Sequence, residues 1–167
     1  MRNNPLFSRK KTFSAVALGI SCLLCSLVGC TDLAILNQHA SISNRKWYYN
    51  EQPKFSVNVS DNSVKYDMYI SLRHSSGYRF SNIFLLLKET SPTDSQKNYR
   101  VELKLAELDG RWLGKGSGNL YSHEIRVSKD YLYPDTGIYT YQLEQNMRVN
   151  PLLEVVDVGI RIVPSRK

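Results

Sequence analysis

VKYDMYISLR, residues 64–73, decides the fold. Val64, Tyr66, Met68, Ile70 and Leu72 alternate with Lys65, Asp67, Tyr69, Ser71 and Arg73. Ten residues of period 2 place every apolar side chain on one side of an extended chain. A helix of 3.6-residue period would scatter the same residues around its axis. The stretch reads as a strand with one face in a core and the other toward water.

The same pattern recurs on both sides of it. Toward the N-terminus, Phe55, Val57 and Val59 alternate with Ser56 and Asn58, and Asp61-Asn62 marks a turn. Trp47-Tyr48-Tyr49 opens the folded part. Toward the C-terminus, His74-Ser75-Ser76-Gly77 reads as a turn with His74 facing solvent. Ile83-Phe84-Leu85-Leu86-Leu87 is apolar on both faces, which predicts a central strand or one with a covered outer side. A polar loop spans residues 90–98. Tyr99, Val101, Leu103 and Leu105 then alternate with Arg100, Glu102 and Lys104. Good helix formers compete in that segment, but the strict alternation and the Asp109-Gly110 turn favour a strand.

Three further segments complete the series. Residues 119–127 put Tyr121, His123, Ile125 and Val127 on one face. Residues 138–144 do the same with Tyr139, Tyr141 and Leu143. Residues 152–163 set Val156, Val158, Ile160 and Ile162 against Val155, Asp157, Gly159 and Arg161. The pattern predicts an all-β fold, an antiparallel β-sandwich of seven to eight strands over residues 47–163, with a polar tail at 164–167. Hairpin patterning alone leaves a small closed barrel as the geometric alternative.

Upstream, Arg9-Lys10-Lys11 precedes TFSAVALGISCLLCSLVGC, residues 12–30. A positive flank followed by an apolar run is the pattern of a secretory signal. Leu27-Val28-Gly29-Cys30 has the form of a bacterial lipobox: a small residue before the cut, then a thiol to receive the diacylglyceryl group. The apolar run, at about 16–18 residues, falls short of the ~20 that a spanning helix needs. Residues 1–29 are therefore expected to be a lipoprotein signal peptide. Residues 30–46 are expected to form a lipidated N-terminus and flexible tether, holding the chain to membrane lipid through acylated Cys30.

Charge and cysteine usage agree with export. Twenty-two Lys and Arg oppose 15 Asp and Glu, a formal +7; with Arg2, Arg9, Lys10 and Lys11 set aside, 18 cations face the same 15 anions, a formal +3. The basicity thus belongs to the targeting segment, and no nucleic-acid partner is expected. Cys22 and Cys25 lie within the signal and Cys30 carries lipid, which leaves no thiol for a disulfide or a metal in the mature chain.

No set of residues assembles a reaction. His39, His74 and His123 are far apart in sequence and lack metal-ligand spacing. The glycine-rich run Gly110–Gly118 lacks the Lys-Ser/Thr ending of a phosphate loop and leads into an extended segment, so no nucleotide is expected. It reads as a tight connection or bulge beside Trp112. No enzyme activity, cofactor or metal is expected. Two stretches, 73–82 and 146–150, instead mix Arg, Asn and aromatics as contact surfaces do. Arg73, Tyr78, Arg79, Asn82, Asn146 and Arg148 are the candidate partner-binding residues, with His74 and Asn150 beside them. A structural role for Arg148, pairing with Asp157 or Glu154, competes with a contact role.

Three blocks carry a resemblance: YDMYISLRHSSGYRFSNIFLLL, DGRWLGKGSGNLYSH and GIYTYQLEQNMRVNPLLEVVDVGIRI. With the Leu27–Cys30 box they resemble the GldH family of gliding-motility lipoproteins of Bacteroidota, from Trp47 to about Ile162. The family pattern of a strand end, a Tyr and an Asn-Ile pair corresponds to Leu72-Arg73-His74, Tyr78 and Asn82-Ile83, with His74 where the pattern has Asn. Its glycine-tryptophan run corresponds to Gly110, Trp112, Gly114 and Gly116. Its C-terminal block corresponds to Gln145, Met147, Arg148, Leu152, Asp157 and Gly159. The resemblance implies a role in gliding motility and in the type IX secretion system, through contacts with other envelope proteins and without catalysis. It also implies the outer membrane. Leu33-Ala34-Ile35-Leu36, rather than an acidic run, follows Thr31-Asp32, which favours the periplasmic face. The alternative is a lipid-anchored carbohydrate- or ligand-binding sandwich using Trp112, Tyr121 and Tyr131. A hydrolase built on His74 and His123 comes third.

Overall fold

The computed structural model describes residues 33–166. The signal over residues 1–29 and the lipidation position Cys30 lie outside the described residues. Among the described residues the chain is all-β, with a single 3₁₀ turn at Ser43–Arg45. Eight strands are long: β1 Leu36–Ser41, β3 Lys54–Val59, β4 Lys65–Ser75, β5 Asn82–Thr90, β6 Gln96–Lys104, β8 Leu120–Leu132, β9 Gly137–Gln145 and β11 Val155–Pro164. Three are short: β2 Lys46–Trp47, β7 Lys115–Ser117 and β10 Leu152–Leu153.

The strands form a five-stranded sheet, β1-β11-β4-β8-β7, and a four-stranded sheet, β3-β9-β5-β6; β2 and β10 pair at one end. Every pairing is antiparallel. The two sheets share one core. Tyr66, Met68, Ile70 and Leu72 of β4 and Val158, Ile160 and Ile162 of β11 line one side. Ile83, Leu85 and Leu87 of β5, with Tyr139, Tyr141 and Leu143 of β9, line the other. The fold is thus a sandwich, and the alternation in residues 64–73 marks its inner and outer faces correctly. The doubly apolar Ile83–Leu87 run is central, between β9 and β6. Its outward Phe84 is covered by the guanidinium of Arg100, 4.0 Å from the ring centre.

Three expectations need correction. Residues 36–46 do not form a flexible tether. β1 pairs with β11 from Leu36↔Ile162 to Ser41↔Asp157, and Ile42 and Trp47 belong to the core. β1 is an edge strand whose side chains, Leu36 apart, stay at least partly exposed, so backbone bonding holds it and no apolar period announces it. Second, Val155 rather than Val156 points inward. A β-bulge between Val155 and Asp157 inserts one residue opposite β4 and reverses the alternation there. Third, the strand expected over residues 119–127 runs on through Lys129-Asp130-Tyr131-Leu132. The left-handed backbone at exposed Asp130 (φ 53°) is held by its N–H donating to Asp67 Oδ1 at 3.0 Å, and Ser165 Oγ donates to the same oxygen at 2.6 Å.

The close approach of β1 to β11 sets a test. A Cβ on Gly159 would lie 2.5 Å from the Gln38 carbonyl oxygen and 2.6 Å from His39 Nδ1. The carbonyl belongs to the paired backbone and cannot swing aside. Gly159→Val is expected to lift β1 and cost about 2–3 kcal/mol, within the range for overpacking. Denaturant unfolding measures the loss, and faster amide exchange across residues 37–41 localises it. Unchanged exchange in that segment would refute the account.

Candidate functional site

β4 runs two residues further than the alternation suggested, and this carries His74 inside. His74 is fully buried, not solvent-facing in a turn. The register explains why. Leu72 opposes His123 and His74 opposes Tyr121 across β4 and β8, so the two histidines are diagonal neighbours on the inner face. Their Nε2 atoms lie 3.0 Å apart, and His74 Nδ1 lies 2.8 Å from the carbonyl oxygen of Ser75. A carbonyl accepts, so His74 carries its proton on Nδ1. Its Nε2 is then an acceptor, and His123 Nε2–H donates to it. Both rings are neutral in this arrangement.

The surroundings keep them so. Trp112 packs 4.5 Å from His74, Tyr78 at 5.1 Å and Tyr121 at 5.7 Å, ring centre to ring centre. Burial pulls His74 below its ordinary value. Burial, then the repulsion that a protonated His74 would exert, brings His123 down to about 4. The glycine-rich run supplies the lid. A Cβ on Gly114 would stand 2.6 Å from His123 Nε2 and 2.8 Å from the Ser122 carbonyl oxygen, so only glycine lets the β6–β7 connection lie flat there. The pair is read as a structural element of the core. His74 binds a backbone carbonyl and another imidazole, not a serine or carboxylate in a cleft. Trp112, proposed as a ligand platform, packs inside this cluster.

The second polar stretch lies against the start of β5, just beyond the first. The N–H of Asn146 donates to the Phe84 carbonyl at 2.8 Å, and the N–H of Phe84 points to Met147 Sδ at 3.3 Å. Their members differ in what they offer. Tyr78 is buried, not a surface aromatic; its hydroxyl donates to the Asn82 carbonyl at 3.1 Å. Arg73 is ion-paired to Asp157 on the outer face of the five-stranded sheet. Asn82 Nδ2 donates to Glu102 at 2.7 Å, and Asn146 Oδ1 accepts from Arg100 Nε at 3.0 Å. Arg79 and Arg148 are exposed. The partners considered for Arg148 are engaged elsewhere: Asp157 by Arg73, and Glu154 by Arg45 and Ser75.

Arg148 sits on a turn that is built from within. Gln145 is fully buried; its Nε2 donates to the Val149 carbonyl at 3.0 Å and its Oε1 accepts the Met147 N–H at 2.9 Å. A second loop braces it. Tyr49 donates its N–H to Asn150 Oδ1 at 3.1 Å and its hydroxyl to the Met147 carbonyl at 2.7 Å. Trp47 anchors that loop through Nε1–H to the Glu51 carbonyl at 2.7 Å and pairs with Leu152 through β2 and β10. The result is a fixed surface bearing Tyr48, Tyr49, Arg148, Val149 and Leu153, each exposed. Sequence reasoning singled out Arg148 but not Tyr48 and Tyr49, which it read with Trp47 as the opening of the folded part. The run of three aromatics was the available signal; which of them turn outward depends on the β2–β10 pairing.

The model of the GldH lipoprotein family matches residues 34–162. The chain is 26% identical over 143 residues to the "Gliding motility lipoprotein GldH homolog" of Christiangramia forsetii, covering 81% of this chain and 87% of that one. It is 25% identical over 143 residues to the "Gliding motility lipoprotein GldH" of Flavobacterium johnsoniae, covering 81% and 88%. Among solved structures, a carbohydrate-binding module specific for non-crystalline cellulose superposes with a TM-score of 0.40 at 13% identity, over 79% of this chain and 74% of that one.

Proposed function

The chain belongs to the GldH lipoprotein family, and from that premise we propose that it serves gliding motility as a membrane-anchored, non-enzymatic component of the cell envelope. The names of both relatives support the process. No described helix is long and apolar enough to cross a membrane. The proposed attachment is the lipid on Cys30, as the Leu27–Cys30 box suggests. The outer membrane is the proposed site, with the domain facing the periplasm. The proposed partners are other envelope proteins of gliding and of type IX secretion.

The observation that carries the contact role is the surface around Arg148. Aromatics beside an arginine, pinned by a buried glutamine and a buried tryptophan, form a preorganised patch. Such a patch loses little freedom on binding, and Tyr and Arg are enriched among the residues that dominate interfaces.

Arg79→Ala with Arg148→Ala tests the reading. Both side chains are exposed, so melting is expected to change by less than ~0.5 kcal/mol of stability. Recovery of crosslinked envelope partners is expected to fall by at least tenfold, in keeping with a loss of ~2 kcal/mol at an interface anchor. Tyr48→Ala should act in the same direction. Unchanged recovery in both variants would remove this end of the molecule as a docking surface.

A further inference from the structure

The long side of the sandwich between β6 and β8 is open. β7 covers only Leu120–Ser122 of β8, so the rest of that strand is a sheet edge, and β6 is the edge of the other sheet. A cleft of about 430 Å³ lies between them, walled by Met68, Leu87, Tyr99, Val101, Val127 and Tyr131, with Arg100, Glu102 and Ser128 also on its lining. At its floor is Glu89.

Glu89 follows Ile83, Leu85 and Leu87 on the inward row of β5 and is 5% exposed. A carboxylate placed inward costs several kcal/mol unless it is paired and hydrogen-bonded. Glu89 has one such bond, from the Tyr131 hydroxyl to Oε1 at 3.2 Å. No Lys or Arg among the described residues lies within ion-pair distance of it. Lys97, its cross-strand neighbour on β6, is exposed and makes no ion pair with it. No enclosed polar atom among the described residues is left without a partner, so the second oxygen of Glu89 is not enclosed, and Glu89 lines the cleft. The Tyr131 phenol is pushed up by burial and then by the charge of Glu89, which keeps it a donor. The carboxylate is therefore held from one side and open on the other.

We propose that this cleft receives a lysine or arginine side chain from a polypeptide partner laid along the free edge of β6. The apolar walls suit the methylene stem of such a side chain, and Glu89 meets the charge at its end. The edge strand offers unpaired backbone groups to an extended segment, as in strand addition. A small amine would use the same carboxylate but not the edge. The site is separate from the surface around Arg148 and does not depend on it.

The probes are the lysine and arginine derivatives with an acetylated amino group and a methylamide end, with the norleucine derivative as an apolar control. Each is titrated into the full-length chain in detergent micelles, followed through methyl resonances of Leu87, Val101 and Val127. The cationic probes should shift these signals saturably, and Glu89→Gln should weaken binding at least tenfold while leaving melting unchanged or raised. Val101→Phe, which fills the cleft from its wall, should abolish the shifts without changing Glu89. Three results would overturn the proposal: no shifts from either cation, equal binding of the norleucine probe, or binding seen only after Lys97→Ala, which would make Lys97 the occupant. The double arginine variant described above should bind the probes normally, which keeps the two surfaces distinguishable.

Discussion

Between pH 6.5 and pH 4 the protein should lose about 3 kcal/mol of stability as the His74–His123 pair takes up protons. In the folded chain burial, and then the repulsion that a protonated His74 would exert, hold His123 at about 4; in the unfolded chain a histidine titrates near ~6.5. Over that interval the unfolded chain binds the proton and the folded chain does not. Stability is therefore complete above ~6.5 and falls as the pH drops toward about 4. His74, the other half of the pair, is shifted in the same direction by burial. Carboxylates held low by hydrogen bonds, Asp61 and Asp67, act in a lower window, below the ordinary value of 3.8. For a domain of this size ~3 kcal/mol corresponds to roughly 10 °C in Tm. His123→Gln, which retains a donor toward His74 Nε2, should flatten the dependence between pH 6.5 and 4. Thermal melts at half-unit pH steps measure it. An equally steep fall in that variant would show that the histidines are not responsible.

Those histidines also show where sequence reading succeeds and where it stops. The inward placement of His123 follows from its alternation with Tyr121 and Ile125, and β8 keeps that pattern. His74 looked like the first residue of a turn because Ser75-Ser76-Gly77 follows it. In the structure β4 continues to Ser75, since Leu120 of β8 is there to pair with it. A pairing partner 45 residues away is not visible in local composition. The glycine run illustrates the same limit. Its flexibility was legible, but its purpose, room for the loop to rest on His123, depends on which strand lies beneath. β1 carries almost no apolar pattern because one row of backbone bonds to β11 suffices for an edge strand. The core rows of β4, β5 and β9 were legible because burial on one face imposes period 2 whatever the partner. The candidate contact residues divide along the same line. Arg148 and Arg79 are exposed as their loop positions suggested. Tyr78 is not, because an aromatic beside a buried histidine packs inward. Glu89 was not singled out at all; a glutamate ending an apolar strand looks like a residue turning to solvent until the open edge beside it is known.

Trp47→Ala should produce the largest loss of stability of any single change considered and should disable the surface around Arg148 as well. Trp47 is fully buried. Truncating such a tryptophan removes its packing and leaves a cavity, which costs about 3–5 kcal/mol. It also removes the Nε1–H that holds the Glu51 carbonyl, freeing the loop that carries Tyr48 and Tyr49. That loop braces the Arg148 turn through Met147 and Asn150. Trp47→Phe separates the two effects. It keeps most of the packing and loses the one hydrogen bond, so it should cost nearer ~1–2 kcal/mol. If preorganisation underlies partner binding, Trp47→Phe should weaken partner recovery while the protein stays folded, though Trp47 itself contacts no partner. Denaturant midpoints, run beside crosslinked recovery from envelopes, give both readouts. Full recovery of partners in a folded Trp47→Phe variant with a loosened 48–51 loop would mean that the surface needs no bracing, and the contact role assigned to Tyr48 and Tyr49 would fall with it.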